Sequence, residues 1–151
     1  MFAVVRLRGD SGLNKEIINT MRMLRLGAPN NCVLIPETDS YKGMLEKCKD
    51  VCTWGEIEKD TLAKLLEKRL RTEKNGRVDE KDLKDFGFEN FEKLAENLIV
   101  GKTDLKDLKK IRSIFRLTPP SKGFKSVKEA YPKGDLGYRK KEINKLVERM
   151  I

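Results

Sequence analysis

Four apolar residues in a row, Cys32-Val33-Leu34-Ile35, stand between two segments whose apolar positions recur at helical spacing. This succession commits the chain to a β-sheet packed by helices. The run is too short for a free-standing helix and rich in branched side chains, which suits a strand buried on both faces. Upstream, Leu13, Ile17, Met21 and Leu24 follow at steps of four, four and three and share one helix face, while Lys15, Arg22 and Arg25 point elsewhere. Gly27 is the expected left-handed cap of that helix, and Pro29 disfavours helical geometry at Ala28. Downstream, Pro36 ends the strand. Thr38, Asp39 and Ser40 offer cap oxygens to a second helix with Tyr41, Met44, Leu45 and Cys48 on one face.

The flanking segments read as strands. In Phe2 to Arg8, alternation sends Phe2, Val4, Arg6 and Arg8 one way and Ala3, Val5 and Leu7 the other, so Arg6 and Arg8 are expected on an uncovered surface. Val51 to Ile57, rich in branched and aromatic residues, makes a third strand, with Trp54 a packing residue. The order β-α-β-α-β is complete by Ile57. Short connections and right-handed crossovers place both helices on one sheet face. The expectation for residues 1–57 is a ferredoxin-like α+β two-layer sandwich with its other sheet face open.

Residues 58–112 read as a helical insertion. Asp60 and Thr61 are candidate caps for a stripe of Leu62, Leu65, Leu66 and Leu70, and Asp79 for a short helix with Leu83 and Phe86 that Gly87 stops. Asn90 opens a helix with Phe91, Leu94, Ala95 and Leu98 that Gly101 ends, and Thr103 and Asp104 open a last stretch with Leu105, Leu108 and Ile111. Residues 113–151 return as a strand at 113–117, an outward-reaching proline loop at 118–125, and a final helix from Tyr138 with Ile143, Leu146, Val147 and Met150 aligned.

Charge narrows the function. Lys and Arg number 33 against 24 Asp and Glu, a net charge of +9 that favours an anionic partner, nucleic acid first. Residues 113–151 concentrate the excess, with ten Lys and Arg against four Asp and Glu. The chain has no histidine, which removes the commonest general acid and base, and no phosphate-cradle, dinucleotide or nucleophile-elbow motif. Asp79 with Asp82, and Asp104 with Asp107, sit at helical spacing among lysines and read as caps and solvated faces. Cys32, Cys48 and Cys52 lack the fourth ligand of a tetrahedral zinc site and read as buried small hydrophobes in a reducing compartment. No apolar run is long enough for a membrane span, so a soluble, intracellular protein without metal or cofactor is expected.

The cations suit a folded RNA gripped by its phosphates and shape. The candidates are Arg6 and Arg8 at a strand end; Lys15, Arg22 and Arg25 on the first helix; Lys42 on the second; Arg116 on the returning strand; Lys122 and Lys125 on the proline loop; and Arg139, Lys140 and Lys141 in the first turn of the last helix. Cations in that turn oppose the helix dipole, a cost that a polyanion would offset.

Phe2-Ala3-Val4-Val5-Arg6-Leu7-Arg8-Gly9, Thr20 to Leu26, Asn31 to Pro36, Ser40-Tyr41-Lys42-Gly43-Met44-Leu45 and Val51 to Glu56 together resemble the L-thirty family of large-subunit ribosomal proteins. The later motifs, Phe115 to Gly123 and Gly134 to Arg139, resemble the longer archaeal form and its eukaryotic counterpart, L-seven. The resemblance implies a structural, non-catalytic component of the large ribosomal subunit in the cytoplasm. It implies binding to large-subunit rRNA of the 23S type through Arg22, Arg25, Tyr41, Lys42 and Gly43, with 5S rRNA or neighbouring ribosomal proteins as further contacts. Three other readings compete with it: a small acylphosphatase-like enzyme, an RNA-binding regulator away from the ribosome, and a membrane-surface protein using the last helix.

Overall fold

A computed structural model describes residues 1–105, 108 and 111–151. Its centre is β1 (Phe2–Arg6), which pairs antiparallel with β2 (Asn31–Ile35) on one side and with β3 (Cys52–Glu56) on the other. Short outer strands complete the sheet: β4 (Ile114–Arg116) runs antiparallel along β2, and β5 (Gly137–Tyr138) runs parallel along β3, in the order β4-β2-β1-β3-β5. The β-α-β-α-β core is thus present, but all three of its strands pair antiparallel. The expected crossover rule therefore applies only to the β2-α2-β3 connection, whose two strands run parallel to each other on either side of β1.

Between β1 and β2 lies α1 (Lys15–Met23), and between β2 and β3 lies α2 (Asp39–Lys47). The Asn14 side chain accepts from the Glu16 amide, and the Thr38 side chain from the Tyr41 amide, so both helix starts are capped. The α1 stripe of Leu13, Ile17, Met21 and Leu24 packs with Phe2, Val4, Val33, Leu45, Cys48, Cys52 and Trp54 in one core.

The opposite sheet face is covered, contrary to the open surface expected of a two-layer sandwich. Ala3, Val5, Cys32 and Phe115 meet a second core built from α3 (Lys59–Arg69), α4 (Glu80–Asp85), α5 (Phe91–Val100) and α6 (Ile143–Met150). In this layer α6 lies on β3, and α3 packs between α6 and α5. The reason is visible in β1: alternation leaves apolar side chains on both faces, and each needs a cover.

Most of the insertion's stripes are where periodicity puts them. Leu62, Leu65, Leu66, Leu83 and Leu94 are fully buried, and Asp79 and Asp82 form a capping box on α4. Thr61 is a buried helix residue rather than a cap; α3 begins after Glu58, whose amide is accepted by Asn144 Oδ1 at 2.9 Å. Lys106, Asp107, Lys109 and Lys110, within the last expected helix of the insertion, lie outside the described residues.

The C-terminal segment departs most from expectation. Tyr138 belongs to β5, a 3-10 turn occupies Lys140–Glu142, and the helix proper starts only at Ile143. Gly55 makes this possible. A Cβ there would stand 1.9 Å from the Lys140 carbonyl oxygen, so only glycine lets the turn cross β3 so closely. The proline loop does not reach outward either. Thr118 and Ser121 donate their amides to the carbonyls of Met150 and Arg149 at 3.0 and 2.9 Å, and Pro120 is buried.

Candidate functional site

Of the candidate cations, two are structural. Arg6 shares its strand face with Phe2 and Val4, under the loop that leaves α1, and is 2% exposed. Its Nε donates to the Arg8 carbonyl at 2.7 Å, its Nη1 to the Leu26 carbonyl at 2.8 Å, and its other end pairs with Asp10. Arg139 is 5% exposed; it pairs with Asp135 at 2.7 Å, donates to Thr53 Oγ1 at 3.0 Å, and lies 5.3 Å above the Tyr131 ring. Each guanidinium is itself buried and taken up by backbone carbonyls and a carboxylate, exposed at Asp10 and buried at Asp135, and neither is open to a ligand. Alternation and loop composition carry no sign of these long-range partners.

The other candidates divide among separate surfaces. On the outer face of the α1–α2 layer, Lys15, Arg22, Arg25, Lys42 and Gly43 are exposed. Arg25 and the half-buried Tyr41 line one cleft with Met23, Leu34, Pro36 and Ser113. Met23, 72% exposed, adds an apolar edge.

Arg25 occupies this place at a conformational cost. The Leu26 amide donates to the Met21 carbonyl and the Arg25 amide to the Arg22 carbonyl, both at 2.9 Å, which is the Schellman closure of a helix. The left-handed residue of such a closure is normally glycine, yet here it is Arg25 at φ 60° and not the expected Gly27. The closure turns Leu26 into the core, fully buried, and swings the Arg25 side chain across the mouth of the cleft, where Nη1 donates to Ser113 Oγ at 2.9 Å.

Gly43 departs from local preference in the other direction. It sits within α2, where glycine costs about 1 kcal/mol relative to alanine, and a Cβ added there would meet nothing within 4 Å. Packing does not demand it. Beside it, Lys42 pairs loosely with Asp39 at 3.7 Å.

Arg8 is half-buried and donates to the Asp50 carbonyl at 3.2 Å. Lys122 and Lys125 stand on the loop bound to α6; Lys125 Nζ donates to the Pro132 carbonyl at 3.1 Å. Lys140 and Lys141 are exposed beside the β3–β5 edge, with Lys141 3.8 Å from Glu58. Arg116 lies at the far edge of the sheet on β4, so these cations do not form one continuous flank. Beside Arg116 the fold gathers Arg69, Arg71 and Arg112, none of them among the candidate cations. The clustering arises from the bridges Arg71–Arg77 and Thr72–Ile111, which no helical periodicity signals.

All three thiols are buried and free, as expected, and burial pushes the Cys32 thiol up to about 12. The apolar stripe of α6 is buried in the second core, leaving no amphipathic face for a membrane surface. In the Gly9–Gly12 turn, the Asp10 carboxylate already takes the Arg6 guanidinium, which is opposite in sign to an anion cradle.

Residues 2–51 match the family model described as ribosomal protein L30p/L7e. The chain is 45% identical to the large ribosomal subunit protein uL30 of Archaeoglobus fulgidus over 151 residues, 99% of each chain. It is 45% identical to the protein of the same name from Methanococcus maripaludis, again over 99% of each, and 43% identical to that of Nanoarchaeum equitans over 100% of this chain and 99% of the relative.

Proposed function

Since the chain belongs to the ribosomal protein L30p/L7e family, we propose that it is a structural constituent of the large ribosomal subunit, where it binds ribosomal RNA and neighbouring ribosomal proteins. The observation that carries this reading is identity of 45% spread over 99% of both chains, so that insertion and C-terminal segment are shared along with the core. The family is not an enzyme family, and the protein's work is done by binding without bond-making. The absence of histidine and of any catalytic motif accords with that. Its place is the cytoplasmic ribosome.

The RNA surface is the outer α1–α2 face. Arg22, Arg25, Lys42 and Lys15 supply positive charge on short rigid elements, and Tyr41 supplies a ring at the cleft edge. Arg25 in a left-handed conformation and Gly43 without a packing reason both give up local stability: the closure at Arg25 buries Leu26, but a glycine would make the same closure without strain. An RNA backbone explains both: the arginine meets a phosphate with its fork, and the missing side chain admits close approach. We assign the 23S-type rRNA as the RNA bound here. Contacts to 5S rRNA or another ribosomal protein fall to the surfaces away from this face.

The test is sedimentation of the full chain with large subunits, followed by a salt wash. Co-sedimentation that falls steeply with salt is the expected result. A protein that fails to join the large subunit, or binds protein-free large-subunit rRNA without salt dependence, overturns the reading.

A further inference from the structure

Arg69, Arg71, Arg112 and Arg116, with Asn75 and Ile114, line one cleft, and among the described residues no carboxylate side chain enters it. It forms where three segments meet: the end of α3, the turn after it, and the edge strand β4. The Arg112 amide donates to the Arg71 carbonyl at 2.9 Å, which fixes those two residues side by side. Ile114 and Arg116, two apart on β4, share a sheet face. Arg69 is held in the wall, donating to Thr118 Oγ1 at 3.2 Å and to the Ile151 carbonyl oxygen at 2.6 Å. Among the described residues, none of the four forms an ion pair with a carboxylate side chain.

Gathering four guanidinium groups without a side-chain countercharge disfavours the free protein through mutual repulsion, a cost that a bound anion reverses. Arginine is also the residue whose planar fork matches a phosphate with two parallel hydrogen bonds. We propose that this cleft holds backbone phosphates of folded RNA, as a second anchor beside the α1–α2 face, which it adjoins at Ser113, the partner of Arg25. This rests on the RNA-binding reading above and adds to it a surface that only the insertion and the returning strand create together. The cleft is ringed by guanidinium groups and open to solvent, which suits a phosphodiester passing along it rather than a buried base.

The experiment uses the full chain and protein-free large-subunit rRNA, with affinity measured across a range of salt. One variant carries Arg71→Gln, Arg112→Gln and Arg116→Gln; a second carries Arg22→Gln and Lys42→Gln on the α1–α2 face. Arg69 is left in place because it ties α3 to the chain end. The triple variant is expected to melt at or above the wild-type temperature, since it relieves the mutual repulsion, and to bind at least tenfold more weakly near 0.1 M salt. Its log–log salt slope is expected to fall by about one for each phosphate no longer neutralised. Restoring charge with Arg112→Lys in that background is expected to recover part of the slope.

Unchanged affinity and slope in the triple variant, while the Arg22→Gln and Lys42→Gln variant weakens, overturns the second anchor and leaves the proposed function standing. The arginines would then serve only to keep the β4 edge from pairing with other strands. If the triple variant binds RNA normally but fails to enter large subunits, the anion is a carboxylate surface of another protein, and the assignment to RNA falls. If the unaltered protein shows no salt-sensitive RNA binding, both readings fall together.

Discussion

The Arg139 guanidinium donates to the Asp135 carboxylate at 2.7 Å, and both side chains are nearly closed off from solvent. Around this pair the end of the chain is organised. Nη2 of Arg139 also meets the Asp135 carbonyl at 2.8 Å, and the other Asp135 carboxylate oxygen accepts from the amides of Lys125 and Ser126. Thr53 Oγ1 receives from Arg139 and donates to the Gly137 carbonyl at 2.8 Å, which joins the loop to β3. Removing either partner leaves the other charge buried without its counterion. Arg139→Met or Asp135→Asn is expected to cost about 3–5 kcal/mol in urea unfolding. The double variant should cost less than the two single changes combined, and strict additivity would refute the coupling.

Arg25 predicts a divergence between stability and function. Glycine relieves the left-handed conformation at φ 60°, so Arg25→Gly should stabilise the protein by about 1 kcal/mol even though the hydrogen bond to Ser113 goes with the side chain. The same variant should bind large-subunit rRNA more weakly. A variant that is both less stable and equally competent in binding would remove the argument that strain is retained there for a ligand.

Gly43 offers a second case. Gly43→Ala fills open space within α2 and should raise unfolding stability by about 0.5–1 kcal/mol. Gly43→Gln tests the approach of a partner: it should fold as well as the alanine variant yet show weakened incorporation into large subunits. Normal incorporation would mean that nothing comes close to the helix at this point.

The buried thiols set a pH dependence. Burial pushes Cys32 up to about 12, and chiefly burial raises Cys52 well above its ordinary value of 9.0. Above pH 9 the unfolded chain therefore loses these protons while the folded chain keeps them. Their contribution is whole below pH 9 and declines as pH rises toward about 12. Urea midpoints taken from pH 8 to 11 should fall, and Cys32→Val should make the decline shallower; a midpoint that rises over this range would contradict the sign.

Much of this architecture can be read locally. The stripes of α1, α3, α5 and α6, the strand at Cys32–Ile35 and the caps at Thr38 and Asp79 follow from spacing and from side chains that satisfy the nearest amides. The exposed cations of the α1–α2 face were legible for the same reason, since a helix stripe states which side faces away from the core. Arg6 and Arg139 were not, because an arginine's fate depends on carbonyls and carboxylates that the chain delivers from elsewhere. Leu26 and Asp10 come to Arg6, and Thr53 comes to Arg139 from 86 positions away. The cluster at Arg69, Arg71, Arg112 and Arg116 was hidden by the same distance.

Periodicity and turn chemistry, acting over a few residues, decided which segments became helices and strands and which side chains they buried. Only the folded chain decided that the second sheet face would be covered, that two arginines would be sealed and four others gathered. Those outcomes depend on pairing residues far apart in sequence, and the free energy of such pairings is a property of the assembled structure, written in no single segment.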